Sequence, residues 1–335
     1  MEAEPQSRGR IAVLGAGSWG TALAILFARN GYPAMLWGRD ASMMERIART
    51  RRNESYLPDT PFPALLEVCS DLRDLARQTS RFVLAVPCPG VRPLLRTLRP
   101  LIGAGSLFAQ AAKGMEPDTS KRLSEVAREE IVGHWAVVSG PTFAREVAQG
   151  LPTALTVASD DDAHAAVIAE WLRNDRVRVY TTDDVVGVEI GGAVKNVLAI
   201  AAGISDGLGF GANARAALIT RGLAELTRLG LALGGQTETF MGLSGIGDLV
   251  LTCTDNASRN RQVGLAIGRG EALGQAIEEI GQVAEGVGAA RAVFALAQRH
   301  AISMPITEQV HAVLFEGLAP RVAVDTLLRR EPRVE

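Results

Sequence analysis

The feature that most constrains the fold is a glycine-rich turn between a short apolar run and an apolar helical pattern. It reads Gly15-Ala-Gly17-Ser-Trp-Gly20, with the apolar run at residues 10–14 and the helical pattern at residues 21–29. In such a strand-turn-helix unit, the first glycine permits the tight turn and the second lets the backbone approach a pyrophosphate, while the third lets helix and strand pack closely. The N-terminus of the helix adds free N–H groups and a positive dipole end. The turn therefore predicts a dinucleotide-binding half that begins near residue 10.

Further apolar runs of strand length alternate with helical patterns, such as residues 91–98 and 120–131, as far as residue 181. This alternation predicts a doubly wound, mainly parallel sheet, which binds ligands at the carboxyl ends of its strands. The predicted strands cover residues 10–14, 34–37, 81–86, 106–110, 135–139, 154–158 and 177–181.

Beyond residue 184, strand patterns give way to long helical patterns rich in alanine and leucine, most clearly at residues 213–229 and 285–300. A chain of 335 residues also exceeds what a single core usually fills. We therefore predict three parts, which are a disordered tail at residues 1–9, a nucleotide-binding domain at residues 10–184 and an all-helical domain at residues 185–335.

The first helix of the helical half carries a single cation, Lys195, in the apolar stretch of residues 188–203. Thr182-Asp-Asp184 predicts the start of this helix, and Gly203 predicts its end. A lysine in a core helix usually extends its ammonium to water. The small residues on the face of Lys195 nevertheless leave space beside it, and they are Gly191, Gly192, Ala199 and Ala202.

Three other stretches carry groups suited to chemistry. Lys113 follows the strand at residues 106–110, and residues 242–248 form a glycine-rich, loop-like stretch that ends in the carboxylate of Asp248. Ser258 is a candidate N-cap for a helix whose first turn holds Arg259 and Asn260. Dipole, N–H groups and guanidinium make such a terminus a suitable phosphate site. Taken alone, Lys113 is more often a surface lysine, and the Ser258 motif is more often a capped surface helix.

The strand at residues 34–37 leads into Gly38-Arg39-Asp40, where the choice of dinucleotide is made. An acid at this point hydrogen-bonds the ribose of NAD, whereas an arginine pairs with the 2′-phosphate of NADP. Arg39 lies closer to the strand end than Asp40, so the sequence favours NADP(H) over NAD(H) and leaves both open.

The composition excludes several classes of protein. With 35 Lys and Arg against 37 Asp and Glu, the net charge of −2 gives no case for binding nucleic acid or an anionic membrane surface. No apolar run reaches about 18 residues without a charge, so we expect no membrane insertion. The three cysteines and four histidines have no metal-ligand spacing. We therefore expect no metal, and the cysteine usage is typical of a cytoplasmic protein.

Taken together, these stretches resemble the soluble NAD(P)-dependent sn-glycerol-3-phosphate dehydrogenases, and the resemblance runs from Gly15 to about residue 330. Thr142 stands where serine is common in the family, and Ala284 where valine is common; neither change removes a group that the chemistry needs. The resemblance is carried by residues 15–20, 53–58, 112–114, 140–147, 189–196, 203–209, 217–222, 242–248 and 258–260.

The resemblance implies a Rossmann-type domain followed by a helical domain like that of 6-phosphogluconate dehydrogenase, with the active site between them. It implies reduction of dihydroxyacetone phosphate by NAD(P)H to sn-glycerol 3-phosphate for glycerophospholipid synthesis. By position, Lys195 is the family's proton donor and acceptor, and Lys113 and Asp248 complete the catalytic set. The cofactor positions are Gly15, Gly17, Ser18, Trp19, Gly20, Arg39, Lys113, Ala144, Arg259, Val283 and Glu285. The substrate positions are Lys113, Gly140, Thr142, Lys195, Asp248, Ser258, Arg259 and Asn260.

The chemistry of the residues agrees with this resemblance, because reduction of a ketone needs a hydride and a proton for the developing alkoxide. Two alternatives stay open. A related β-hydroxy acid dehydrogenase would not need the turn of residues 258–260 to grip a phosphate, and a non-catalytic NADP(H)-sensing protein would not need Lys195, Lys113 and Asp248 together. A homodimer is a common state for a soluble enzyme of this size.

Overall fold

The computed structural model describes residues 8–329. The tail predicted for residues 1–9 lies outside the described residues except for Arg8 and Gly9. Two compact units make up the described chain. The sheet unit holds the residues up to 112 together with 123–185, and the helical unit holds residues 113–122 together with those from 186 onward. The domain boundary drawn at residues 184 and 185 stays a prediction.

The sheet unit is built on an eight-stranded sheet with the order β10-β9-β8-β7-β6-β1-β2-β5. All neighbouring strands are parallel except β8 and β9, so β9 and β10 run against the other strands. This confirms the mainly parallel sheet and adds a reversal that the apolar runs do not show. The strands are β1 Ile11–Leu14, β2 Ala34–Trp37, β3 Arg52–Asn53, β4 Leu57–Pro61, β5 Leu66–Cys69, β6 Arg81–Leu84, β7 Leu107–Gln110, β8 His134–Ser139, β9 Thr153–Ala158 and β10 Val177–Thr182. Of these, β3 and β4 form a separate hairpin.

Helices cover both faces of the sheet, because successive strand residues point to opposite sides. Ile11 and Val13 of β1 belong to a core formed with the helices α1, α6 and α7. Ala12 and Leu14 belong to a second core, formed with α3, α4 and α5. The doubly wound arrangement is therefore confirmed. The helices of this unit are α1 Ser18–Arg29, α2 Ala41–Thr50, α3 Leu72–Gln78, α4 Val91–Leu98, α5 Leu123–Glu130, α6 Ala144–Gln149 and α7 Asp162–Leu172.

The helical unit surrounds a single long apolar helix, α8, which runs over Val185–Gly207. By length and composition α8 could cross a membrane, but 94% of its most apolar 18-residue stretch is buried inside the structure, so it is a core helix. The helices that follow are α9 Gly211–Ala232, α10 Thr237–Met241, α11 Asp248–Thr254, α12 Arg259–Gly268, α13 Leu273–Ile280, α14 Glu285–Arg299, α15 Pro305–Phe315 and α16 Pro320–Leu328.

The predicted end of the first helix at Gly203 is wrong, because α8 continues for four more residues. Gly203 lies where α8 crosses α12, and a Cβ there would come within 2.2 Å of the Arg261 carbonyl oxygen. On the other helix, a Cβ at Gly264 would lie 2.1 Å from the Ile200 carbonyl oxygen. The two backbones therefore touch directly. This contact sets the N-terminus of α12 beside the middle of α8.

Candidate active site

The glycine turn of the sheet unit has the shape that a pyrophosphate needs. Gly15 has φ +125°, and a Cβ there would lie 2.6 Å from the Ala85 carbonyl carbon. A Cβ at Gly20 would lie 1.9 Å from the Gly15 oxygen, whereas at Gly17 nothing lies within 4 Å. The N-terminus of α1 has no side-chain hydrogen bond at its N-cap, Gly17. The buried Trp19 Nε1 also has no partner among the described residues. The open space at Gly17, at the N-terminus of α1, thus fits a dinucleotide phosphate.

Asn53 holds this turn from behind, and we did not predict a role for it. Its fully buried side chain donates from Nδ2 to the Ala16 carbonyl oxygen at 2.9 Å and to Thr21 Oγ1 at 2.8 Å. Asn53 lies in the β3–β4 hairpin, far along the chain from the turn. Local spacing therefore carried no sign of this contact.

The side chain of Asp40 is hydrogen-bonded within the described part of the protein and that of Arg39 is not, and this difference bears on which dinucleotide binds. Asp40 is the N-cap of α2, where its Oδ1 accepts hydrogen bonds from Met43 N at 3.0 Å and from Ser42 Oγ at 2.8 Å. These hydrogen bonds hold the pKa of Asp40 below its ordinary value. Arg39 is exposed and makes no hydrogen bond or ion pair within residues 8–329. The acid is thus engaged in capping, while the guanidinium is available to a ligand.

In the helical unit, two of the chain's three lysines bind one buried aspartate. Lys195 Nζ lies 2.6 Å from Asp248 Oδ1, and Lys113 Nζ lies 2.8 Å from Asp248 Oδ2. Asp248 is fully buried, and the side chain of Lys195 is only 7% exposed. Lys195 also donates to Thr252 Oγ1 at 3.0 Å. The structure therefore brings together the three residues predicted as the catalytic set.

The electrostatics of this cluster poise Lys195 for proton transfer. Burial lowers the pKa of Lys195 to about 8; the carboxylate of Asp248 opposes this shift, and the ammonium of Lys113 adds to it. Burial also opposes ionisation of Asp248, but the charges and hydrogen bonds of the two lysines outweigh it and hold its pKa below the ordinary value. A lysine with a pKa near 8 can both give and take a proton under physiological conditions.

Three separate segments deliver these side chains. Lys195 comes from α8, Lys113 from residues 113–122, and Asp248 begins α11 after the turn Leu243–Gly247. That turn is π-helical, so the loop-like reading of residues 242–248 is wrong. A Cβ at Gly191 would lie 2.3 Å from the Ser244 oxygen. The space expected beside Lys195 on this side of α8 is therefore filled by the protein's own turn, which carries Asp248 to the lysine.

The predicted phosphate turn lies at the N-terminus of α12. Ser258 is its N-cap, as predicted, and its Oγ accepts from Arg261 N at 3.2 Å. Asn260 uses its amide in a bridge: Nδ2 donates to Asn196 Oδ1 at 2.8 Å, and Oδ1 accepts from Gly286 N at 2.8 Å. Asn196 in turn donates to the Lys113 carbonyl oxygen at 3.1 Å. A chain of amides therefore links the turn to the lysine cluster.

The remaining predicted residues are placed as follows. Val283 is 51% exposed, and Glu285 is the first residue of α14. In the sheet unit, Gly140 follows β8 with φ +130°, Thr142 Oγ1 donates to the Gly140 oxygen at 3.1 Å, and Ala144 begins α6. The roles of these residues stay predictions. Within residues 8–329, no group of three or more His, Cys, Asp or Glu side chains is placed to hold a metal ion.

Sequence reasoning missed Thr252, Asn196 and Arg261 in the helical unit. Thr252 follows Asp248 by one helical turn, so helical spacing could have found it once Asp248 was placed in a helix. Asn196 is adjacent to Lys195 and lies on a different part of the helix surface. Its contact with Asn260 spans 64 residues of chain, and no pattern in the sequence indicates it.

A doubly wound sheet with an open glycine turn, together with a helical unit that buries a low-pKa lysine on an aspartate, defines a nucleotide-dependent oxidoreductase. Models of the N-terminus and the C-terminus of NAD-dependent glycerol-3-phosphate dehydrogenase match residues 10–165 and 184–325. The chain belongs to this family.

Similar proteins support this membership over nearly the whole chain. The glycerol-3-phosphate dehydrogenase [NAD(P)+] of Nitrosococcus oceani is 55% identical over 328 residues, 97% of this chain and 95% of that protein. The enzyme of the same name from Thioalkalivibrio sulfidiphilus is 54% identical over 97% of this chain and 98% of its own. The crystal structure of glycerol-3-phosphate dehydrogenase from Coxiella burnetii superposes with a TM-score of 0.94 at 47% identity, covering 96% of this chain and 99% of that one.

Proposed function

We propose that this protein catalyses the reversible reduction of dihydroxyacetone phosphate to sn-glycerol 3-phosphate with NAD(P)H. The observation that carries the proposal is the buried contact of Lys195 and Lys113 with Asp248. The amide chain from Lys113 to the N-terminus of α12 adds support, since it joins a proton-transfer group to a terminus suited to phosphate. Family membership and the names of the similar proteins agree with this assignment.

In this proposal Lys195 is the proton donor. The bound nicotinamide supplies the hydride to the carbonyl carbon. The Lys195 ammonium stabilises the negative charge that develops on the oxygen and then protonates it. Asp248 holds Lys195 in place at 2.6 Å and keeps it charged despite burial. In the reverse direction the neutral amine accepts the proton, which a lysine with a pKa of about 8 does readily near neutral pH.

The substrate phosphate is assigned to the turn of Ser258, Arg259 and Asn260. Ser258 caps the helix, so the first N–H groups of α12 are held in register, and the dipole of the helix favours an anion. Arg259 supplies a guanidinium in the first turn, and its Nη1 donates to Gln282 Oε1 at 3.5 Å. Asn260 is assigned chiefly to holding the turn, because its amide already bridges Asn196 and Gly286.

The protein uses NADPH in preference to NADH in this proposal. The support is the contrast between exposed Arg39 and capping Asp40. Replacing Arg39→Gln removes a charge-assisted pairing with the 2′-phosphate, so the ratio of kcat/KM for NADPH over NADH falls about 10-fold or more. Arg49→Gln, which changes an exposed arginine of the helix α2 that follows Arg39, is the matched control. An unchanged ratio in Arg39→Gln would reject the preference.

Cytoplasmic location, a role in glycerophospholipid synthesis and a homodimeric state complete the proposal. The three cysteines form no disulfide with one another, which suits a reducing compartment. The product supplies the glycerol phosphate backbone that glycerophospholipids contain. Size-exclusion chromatography with light scattering decides the oligomeric state.

The decisive experiment follows NADPH oxidation with purified protein and dihydroxyacetone phosphate, in the wild type and in Lys195→Ala. Loss of the proton donor lowers kcat by about 10²–10⁴-fold. Lys121→Ala, the chain's third lysine, is the control and keeps normal turnover. Near-normal turnover in Lys195→Ala would contradict the assigned role, and a folded wild type without turnover would contradict the function.

A further inference from the structure

A buried guanidinium lies behind the proposed phosphate turn and takes no part in the chemistry described above. Arg261, in the first turn of α12, is 7% exposed. Its Nε donates to the Cys253 carbonyl oxygen at 3.1 Å, and its Nη1 donates to Asn256 Oδ1. Its Nη2 donates to Asp206 Oδ2 at 2.5 Å. All three nitrogens are thus engaged with protein atoms.

These hydrogen bonds run backwards, from the helix to the segment that leads into it. Gln262, the next residue, adds a hydrogen bond from Nε2 to the Asn256 carbonyl oxygen at 2.7 Å. Inside the segment, Asp255 Oδ1 accepts from Ala257 N at 2.7 Å. Residues 253–257 are therefore held between the end of α11 and the start of α12. Their shape is set from the inner side, and residues 254–257 are exposed on the outer side.

The anchor of Arg261 is a carboxylate of α8. Asp206 is 9% exposed at its side chain, and its Oδ2 also accepts from Arg215 Nη1 at 2.7 Å. Two guanidinium groups on one carboxylate leave a net positive charge behind the N-terminus of α12, where the helix dipole has the same sign. Arg215 belongs to α9 and has no contact with residues 253–257 among the described hydrogen bonds. Arg261 alone therefore joins the carboxylate to the turn.

We propose that Arg261 is a positioning residue for recognition of the substrate phosphate. Without touching the substrate, it fixes the turn of residues 255–260 in the shape that receives a phosphate. Its effect is the preference for a phosphorylated ketone over the same ketone without phosphate. A turn ordered before binding loses less conformational freedom on binding, so this order appears as affinity. The inference rests on the proposed function.

The test compares dihydroxyacetone phosphate with dihydroxyacetone in Arg261→Lys. Lysine keeps the charge, but it lacks the planar fork that reaches three acceptors. Loss of one or more charge-assisted hydrogen bonds raises KM for dihydroxyacetone phosphate about 10–100-fold, with kcat changed less than about 3-fold. The kcat/KM for dihydroxyacetone stays within about 2-fold of the wild-type value. Replacing a residue that only supported the fold would lower kcat/KM for both substrates together.

Two further variants keep the test decisive if Arg261→Lys folds poorly. Asn256→Ala removes one exposed acceptor of Arg261, and it lowers the ratio of the two kcat/KM values by a smaller factor in the same direction. Arg215→Lys alters the same carboxylate from the other side and leaves the ratio unchanged.

A parallel fall in kcat/KM for both substrates in Arg261→Lys would overturn the proposal. An equal change in the ratio of the two kcat/KM values in Arg215→Lys would also overturn it. Normal wild-type turnover with an unchanged ratio in Arg261→Lys and Asn256→Ala would overturn this proposal alone. A wild type that does not reduce dihydroxyacetone phosphate would overturn it together with the proposed function.

Discussion

The two ammonium groups on Asp248 determine how catalysis should respond to pH when one of them is removed. In the proposed mechanism Lys195 carries the transferred proton. Its pKa is about 8 because burial lowers it, Asp248 raises it and Lys113 lowers it further. Lys113→Met removes one charge and keeps a side chain of similar length. Asp248 then serves Lys195 alone. The pKa of Lys195 in this variant should therefore rise.

The size of the rise follows from the Coulomb energy. Two unit charges about 4 Å apart interact by about 4 kcal/mol at an effective dielectric constant of about 20, which corresponds to about 3 pKa units. Lys113 and Lys195 bind opposite oxygens of Asp248, at 2.8 and 2.6 Å, so the carboxylate lies between them. We therefore expect about half of this repulsion, a rise of about 1.5 pKa units.

The assay is the pH profile of kcat/KM for reduction of dihydroxyacetone phosphate, which reports groups of the free enzyme. Reduction needs the protonated lysine, so activity falls as pH rises through the pKa of Lys195, near pH 8 in the wild type. In Lys113→Met this fall moves to about pH 9.5. Oxidation of glycerol 3-phosphate needs the neutral amine, so its rise with pH moves in the same direction.

The position of the fall is the readout, because Lys113→Met also lowers the rate itself at every pH. Lys121→Met is the matched control, since it removes a lysine from the same segment without touching Asp248. A fall that stays near pH 8, or moves lower, would refute the assignment of Lys113 as the charge that depresses the pKa of Lys195.

Three further predictions test other parts of the structure. Asn53→Ala removes both hydrogen bonds that hold the glycine turn, so the Kd for NADPH rises about 10-fold in a fluorescence titration, whereas Glu54→Ala leaves it unchanged. Gly264→Ala places a Cβ 2.1 Å from the Ile200 carbonyl oxygen, so it lowers the free energy of unfolding by about 3 kcal/mol. Gly274→Ala, where a Cβ would meet nothing within 4 Å, does not lower it. Equal Tm values for the two variants would contradict the α8–α12 contact. Burial raises the pKa of Glu225 from 4.5 to about 7, although hydrogen bonds from the backbone amides of Ile306 and Thr307 oppose the shift. Between these two pH values the folded state holds a proton on Glu225 that the unfolded state has lost. The free energy of unfolding therefore falls as pH rises from about 5 to 7. The measurement is the free energy of unfolding of wild type and Glu225→Gln at about pH 5 and about pH 7. The difference between the two pH values should be smaller in the variant by at most about 3 kcal/mol, and an unchanged difference would contradict the shift.

The sequence predicted best those parts of the molecule in which the interacting residues lie close together in the chain. The glycine turn is read from six residues, since strand, turn and helix follow each other directly. Ser258 is recognised as an N-cap for the same reason, because the amide that it accepts from lies three residues away. Such local signals are strong enough to place the dinucleotide half and the start of α12.

Contacts between distant residues could not be derived in this way. Gly203 meets the usual description of a helix end, and only the approach of α12 shows that it lies inside α8. Lys113 and Asp248 are separated by 135 positions, so their pairing came from family resemblance and not from periodicity. For Asn53 and Arg261 even the resemblance assigned no role, and local spacing could not supply one, because each contacts a residue far along the chain, Ala16 and Asp206 respectively.

The placement of residues 113–122 has a consequence for anyone who recombines this protein with its relatives. These ten residues lie between two stretches of the sheet unit in sequence but belong to the helical unit in space. A chimera cut once near residue 185 would take its Lys113 from one parent and its Lys195 and Asp248 from the other. The exchangeable module is therefore discontinuous, and a functional swap of nucleotide-binding halves must leave residues 113–122 with the helices that they serve.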